Sequence, residues 1–119
     1  MHSLKTGALI HASLLLGGHC GNAAESELGT MSAFAAAIGL LFQVVDDILD
    51  AESNTETLGK TAGKDALQNK PTYVSLLGLE QAKAKAADIR RQAHAHLDRF
   101  GQRSARLHFI TDYIFNRKN

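Results

Sequence analysis

The distribution of apolar and polar residues along the chain predicts helices throughout. Apolar side chains recur at helical spacing, and no segment alternates apolar and polar residues for long enough to indicate a strand. Five helices are expected, over residues 3–16, 25–50, 71–77, 79–100 and 105–115. Gly17 and Gly18 should end the first helix, Gly101 should end the fourth, and Pro71 suits a first helical position. The predicted fold class is therefore all-α.

A polar segment interrupts this pattern between residues 51 and 70. It contains two glycines and the lysines Lys60, Lys64 and Lys70. Glycine lets the backbone approach an anion closely, and a basic loop can close over a bound phosphate group. The alternative interpretation is an ordinary solvated loop.

Composition narrows the possible functions. The chain has 119 residues, of which 45% are hydrophobic and 21% charged, which indicates a folded domain or part of one. The net charge of +1, with no aromatic residues interleaved among the basic ones, gives no reason to expect nucleic acid. Cys20 is the only cysteine, so an internal disulfide is excluded, and a reducing, cytoplasmic location fits. Two uncharged runs, 6–24 and 28–45, contain polar residues and glycines, and we expect core helices and no membrane span.

The most informative pattern lies on the second predicted helix. At about 100° per residue, Gln43, Asp46, Asp47 and Asp50 fall within an arc of roughly 100°. Carboxylates this close together repel one another, and in partial burial they take up protons or need a cation. Mg²⁺ is the ion that carboxylates usually share with substrate phosphates. An exposed acidic helix end is the alternative, but the apolar run before the aspartates favours a cavity wall.

Small residues continue the same stripe toward the start of that helix. Ser32, Ala36 and Gly39 could leave a gap for a hydrocarbon chain, although close helix packing explains them equally well. Lys5 lies on the apolar stripe of the first helix, where it could bind an anion or simply extend into solvent from a helix end.

Other candidate sites are weaker. Gly59-Lys60-Thr61 lacks the first glycine and the preceding strand of a phosphate-binding loop, and residues 50–61 lack the glycine and glutamate of a calcium loop. His94, His96 and His108 are expected to lie on the surface.

Five short motifs together resemble the trans-prenyl diphosphate synthase family. They are KTGALI, containing Lys5 and Thr6; FQVVDDILD, containing Gln43 and the aspartates; LGKTAGKD; NKPTY; and the tail YIFNRK. Their order and spacing are similar to those of bacterial farnesyl diphosphate synthases, and the match covers essentially the whole chain.

This resemblance implies an all-helical fold around a deep cavity and a Mg²⁺-dependent condensation. The substrates would be an allylic diphosphate and isopentenyl diphosphate, the product farnesyl diphosphate, and the enzyme a homodimer. Asp46 and Asp50 would be metal ligands, with Asp47 a ligand or a support for one. The roles implied for the other residues are diphosphate binding for Lys5 and Lys60, contact with the reacting carbons and the departing oxygen for Thr6 and Gln43, and support of the metal region for Lys70.

The sequence departs from the family in one large respect. The family's first aspartate motif is absent, and the arginine and lysine set that holds isopentenyl diphosphate is absent with it. Residues 1–119 are therefore expected to form the C-terminal part of a single domain and not to catalyse alone. A non-catalytic helical subunit derived from the same family is the second hypothesis. Product length is not predicted by these residues.

Overall fold

The computed structural model describes residues 2–56 and 71–118, with side chains described over 5–53 and 71–118. The described residues form helices and contain no strand, so the all-α prediction is confirmed. The helices are α1 (His2–Cys20), α2 (Glu25–Glu56), α3 (Tyr73–Leu77), α4 (Leu79–Leu97), a 3₁₀ segment (Asp98–Ser104) and α5 (Ala105–Asn116).

The first helix continues through the glycines that were predicted to end it. A Cβ added to Gly18 would lie 2.8 Å from a side-chain carbon of Leu28 and 2.9 Å from the sulfur of Met31. Gly18 therefore allows α2 to approach α1 closely and does not break the helix. The turn comes later, where Asn22 adopts a positive φ of 57° and the amide of Gly21 donates to the carbonyl of Gly17.

The second helix is central to the fold, because it packs against each of the other α-helices. Phe34, Leu41 and Val44 on its inner faces are fully buried. It extends to Glu56, six residues beyond the predicted end, so the first part of the predicted 51–70 loop is helical. The ion pair of Glu52 with Lys83 of α4, at 2.9 Å, attaches this extension to the rest of the fold.

Among the described helices, only α2 is long and apolar enough, over 25–53, to cross a bilayer by length and composition. Core helices of folded domains satisfy the same criterion. Phe34, Leu41 and Val44 of α2 are buried against the other helices, as side chains of a core helix are.

A short helix, α3, lies at the start of the second described range. Thr72 is its N-cap: the Thr72 hydroxyl accepts from the amide of Ser75 at 3.0 Å, and the Ser75 hydroxyl accepts from the amide of Thr72 at 2.8 Å. This capping box fixes the start of α3 at Tyr73. Pro71 therefore precedes the cap. The prediction that Pro71 is the first helical residue was wrong.

The fourth helix carries a narrow apolar face. Its buried residues are Ala82, Ala86, Ile89, Ala93 and Leu97. This spacing defines one helical face, and its alanines let α4 lie close to α2. The helix ends at Leu97, and Gly101, at φ 60° and ψ −139°, produces the predicted break inside the 3₁₀ segment.

Candidate functional site

The four polar residues predicted to share a stripe on α2 differ in their surroundings. Asp47 is buried, Gln43 is half-buried, the Asp46 side chain is 49% exposed and Asp50 is exposed. The stripe thus passes from the protein interior to solvent within two helical turns. Asp46 and Asp50 lie one turn apart on the accessible side.

Asp47 has both carboxylate oxygens engaged in hydrogen bonds within the protein. Its Oδ1 accepts from Nε2 of Gln43 at 2.8 Å, and its Oδ2 accepts from the amide of Tyr73 at 3.0 Å. The second bond satisfies one of the amides at the start of α3 that have no partner within the helix. Asp47 therefore joins α3 to α2, and Gln43 is oriented by Asp47.

Asp46 faces the tail of the chain. Its Oδ1 lies 3.7 Å from Nη2 of Arg117, the residue that follows α5. The same Nη2 donates to the carbonyl of Phe42 at 3.2 Å, and the guanidinium carbon lies 4.2 Å from the centroid of the Phe42 ring. The YIFNRK motif is therefore brought against the FQVVDDILD motif, although about seventy positions separate them.

The carboxylate oxygens of Asp46 and Asp50 are the type of ligand that a hard divalent ion prefers. Mg²⁺ is usually held by one or two carboxylates, several waters and substrate phosphates, without a complete protein cage. Asp46 and Asp50 supply two such carboxylates. Within residues 2–56 and 71–118, no group of three or more His, Cys, Asp or Glu residues is arranged to hold a metal ion by itself. The donor set thus suits a metal that arrives with a phosphate ligand.

A groove of about 430 Å³ lies between α1 and α2, below the carboxylates. Its volume falls within the range of about 300–1,000 Å³ that is usual for ligand sites. Gln43 and Tyr73 line its upper end. Small residues form much of the rest of its wall, namely Gly7, Ala8, Ala35, Ala36 and Gly39. The predicted gap beside the small stripe is therefore present in the fold.

Two members of the small stripe also serve helix packing, as the alternative interpretation held. A Cβ on Gly39 would lie 3.3 Å from the Cα of Gly7, and the Ser32 hydroxyl bonds Nε2 of His11 at 2.8 Å. Ala36 remains exposed on the stripe.

These contacts also locate the lysine motif of α1. Gly7 pairs with Gly39 and Gly18 with Leu28, so the two helices run antiparallel. This register places Lys5 level with residue 41, about 8 Å of helix rise from Asp46. Lys5 is exposed and Thr6 half-buried, at the same end of the bundle as the carboxylates.

Lys60, Lys64 and Lys70 lie outside the described residues, so their predicted roles stay predictions. The chain re-enters the described part at Pro71, which lines a small cavity of about 170 Å³ together with Gln43 and Asp47. The residue after Lys70 therefore contacts the same site.

The histidines of α4 and α5 form a cluster that the sequence did not predict. The rings of His94 and His108 stack with centroids 4.8 Å apart, and Nε2 of His94 lies 2.8 Å from Oδ1 of Asp112. Arg90 donates to the same oxygen at 2.7 Å and, together with the His94 contact, lowers the pKa of Asp112. His94, His96 and His108 are all half-buried, so the expectation of surface histidines was wrong.

Comparisons with known proteins agree with the fold and with the motifs. The family model described as polyprenyl synthetase matches residues 1–107. A chloroplastic geranylgeranyl pyrophosphate synthase of Capsicum annuum is 48% identical over 120 aligned positions, which cover 100% of this chain and 32% of the relative. Geranylgeranyl pyrophosphate synthase 3 of Arabidopsis thaliana is 46% identical, with 100% of this chain and 33% of the relative covered, and a Catharanthus roseus counterpart is 42% identical, with 100% and 34% covered.

The chain spans about a third of the length of these relatives. Their names do not support the specific likeness to farnesyl diphosphate synthases, whereas the broader resemblance is confirmed. A family match over most of the chain, an all-helical fold and an aspartate stripe above a groove agree with one another. This chain belongs to the polyprenyl synthetase family.

Proposed function

We propose that this chain supplies the second aspartate motif of a Mg²⁺-dependent prenyltransferase. In the reaction, an allylic diphosphate loses its diphosphate group, the double bond of isopentenyl diphosphate attacks the remaining allylic carbon, and loss of a proton from the isopentenyl unit gives the lengthened allylic diphosphate. The observation that carries the proposal is the position of Asp46 and Asp50 above a groove with small walls. Charge lies at one end and apolar volume at the other, as a prenyl diphosphate requires.

Each part of the site has a physical task in this proposal. Asp46 and Asp50 hold the metal, and bound Mg²⁺ supplies positive charge that stabilises the departing diphosphate. Asp47 fixes Gln43 at the top of the groove, where the Gln43 amide can face the reacting end of the substrate. Lys5 adds a cation at the same end of the bundle, and the small apolar residues of the groove offer a wall for the prenyl chain.

The residues outside the described range complete the proposed site. Lys60 is proposed to bind the allylic diphosphate and Lys70 to support the metal region, and both assignments follow from the motif resemblance. A homodimer as the active form and a cytoplasmic location also stay proposals, as does the absence of a membrane span.

For the product, the relatives' names favour a geranylgeranyl chain over the farnesyl chain expected from the sequence. The groove described here does not by itself fix the length, because it is open along one side. Product length is therefore left to experiment.

A chimera tests the function with this chain's own residues. The 119 residues replace the aligned stretch of the Capsicum annuum relative, which is 48% identical. The chimera is incubated with Mg²⁺, isopentenyl diphosphate and dimethylallyl, geranyl or farnesyl diphosphate, and the products are separated by chain length. Elongated prenyl diphosphates are expected. A folded chimera that forms no product, beside an active parent enzyme, would instead support the non-catalytic subunit.

A further inference from the structure

Arg117 places a guanidinium beside Asp46, one of the two accessible aspartates of the stripe on α2. Its side chain is only 14% exposed, although it follows the last helix. Two contacts anchor the guanidinium on Phe42: the 3.2 Å hydrogen bond to the carbonyl and the 4.2 Å stacking on the ring. The third, at 3.7 Å, reaches Oδ1 of Asp46.

We propose that Arg117 is a positioning residue for Asp46, holding its carboxylate in the orientation that binds the metal. The proposal rests on the proposed function, in which Asp46 is a metal ligand. Phe42 and Asp46 are one turn apart on α2, so a guanidinium fixed on the first residue spans the turn to the second. A carboxylate that faces arginine through Oδ1 can still offer Oδ2 to a cation.

The need for such a residue follows from exposure. The Asp46 side chain is 49% exposed, so without a fixed neighbour it would sample several rotamers, and ordering it would weaken metal binding. Partners that orient metal ligands typically change metal affinity by about 10–100-fold when they are removed. We expect a smaller effect of about 5-fold here, because the contact to Asp46 is long.

Lysine cannot replace arginine in this arrangement. The planar guanidinium lies over a ring while it donates at its edge, whereas an ammonium group is a point charge without that geometry.

A charge effect makes the opposite prediction from positioning. If Arg117 acted only by its positive charge, removing the charge would strengthen cation binding and keeping it would change nothing.

The test measures binding of Mn²⁺ to the 119-residue chain in the presence of inorganic diphosphate, with free Mn²⁺ determined by electron paramagnetic resonance. The variants are Arg117→Lys, Arg117→Gln and Asp46→Asn, with Arg106→Gln, exposed on α5, as the matched control. Circular dichroism and the thermal midpoint verify that each variant is folded. Positioning predicts binding about 5-fold weaker in both Arg117 variants and unchanged in Arg106→Gln.

The outcomes separate this inference from the proposed function. Affinity within twofold of the parent for Arg117→Lys, or tighter binding for Arg117→Gln, overturns positioning while Asp46→Asn still weakens binding. An Asp46→Asn variant that binds Mn²⁺ as the parent does removes the metal role of Asp46, and the positioning role is lost with it. If Arg117→Gln does not fold, the comparison of Arg117→Lys with the parent decides.

Discussion

Replacing Asp47 by alanine should destabilise the fold, although this residue belongs to the motif assigned to metal binding. The substitution removes the acceptor for Nε2 of Gln43 and for the amide of Tyr73. Asp47 is 7% exposed, so these donors lose their partner in a largely dry environment. The link between α2 and the capped start of α3 is lost with them.

The expected size follows from the two bonds. A hydrogen bond to a charged group contributes roughly 1.5–3 kcal/mol, and a buried donor left without a partner adds to the cost. Water can reach the half-buried Tyr73 amide in part, so we expect Asp47→Ala to cost about 2–4 kcal/mol of unfolding free energy. For a domain of this size, that corresponds to a fall in the melting temperature of roughly 8–16 °C.

The neighbouring Asp46→Ala is the matched control. Asp46 is half-exposed and its ion pair is long, so its loss should cost at most about 1 kcal/mol. Asp47→Asn should fall between the two, because an amide can accept from Tyr73 and donate to a flipped Gln43 amide. Urea unfolding followed by circular dichroism measures all three. An Asp47→Ala variant within about 0.5 kcal/mol of the parent, or no less stable than Asp46→Ala, would refute this structural role.

Two further predictions concern stability. Gly29→Ala on α2 should stabilise the fold by about 0.5–1 kcal/mol, because its added Cβ meets open space, whereas Gly39→Ala should gain nothing, because its Cβ presses on Gly7. In thermal unfolding, the melting temperature should rise for Gly29→Ala and should not rise for Gly39→Ala. Arg90 lowers the folded pKa of Asp112 from its usual value of 3.8. The ionised Asp112 therefore adds to the free energy of unfolding above pH 3.8, and this addition is lost as the pH falls through the folded pKa. The stability advantage over Asp112→Asn should be about 1 kcal/mol or less near neutral pH and should shrink as the pH falls through the folded pKa, and a gap that widens on acidification would contradict the assignment.

The helices could be predicted from the sequence because their apolar spacing survives in the fold. The errors at their ends have local causes. Gly17 and Gly18 resemble a helix stop in the sequence, but in the fold Leu28 and Met31 pack closely against Gly18, and this packing explains the second glycine only. Likewise, residues 52–56 are polar, yet they continue α2, and Glu52 in this extension pairs with Lys83 of α4.

The candidate site could be predicted as a set of residues but not as an arrangement. Periodicity places Gln43 and the aspartates on one stripe, yet it gives no sign that Asp47 is buried while Asp46 is accessible. That difference arises from Tyr73, which returns to α2 after the intervening segment. The Arg117 contact depends on α5 packing against α2, and the His94–His108 stack on α5 packing against α4, and neither packing is encoded in local spacing.

The most direct test of the account is Asp46→Asn in the chimera with the Capsicum annuum relative. If Asp46 holds the metal that stabilises the departing diphosphate, turnover should fall by at least about 100-fold while the melting temperature stays close to that of the unsubstituted chimera. Asp98→Asn, exposed after α4, should leave turnover unchanged. Turnover of the Asp46→Asn chimera equal to that of the unsubstituted chimera would contradict the assignment of this motif to the prenyl transfer reaction.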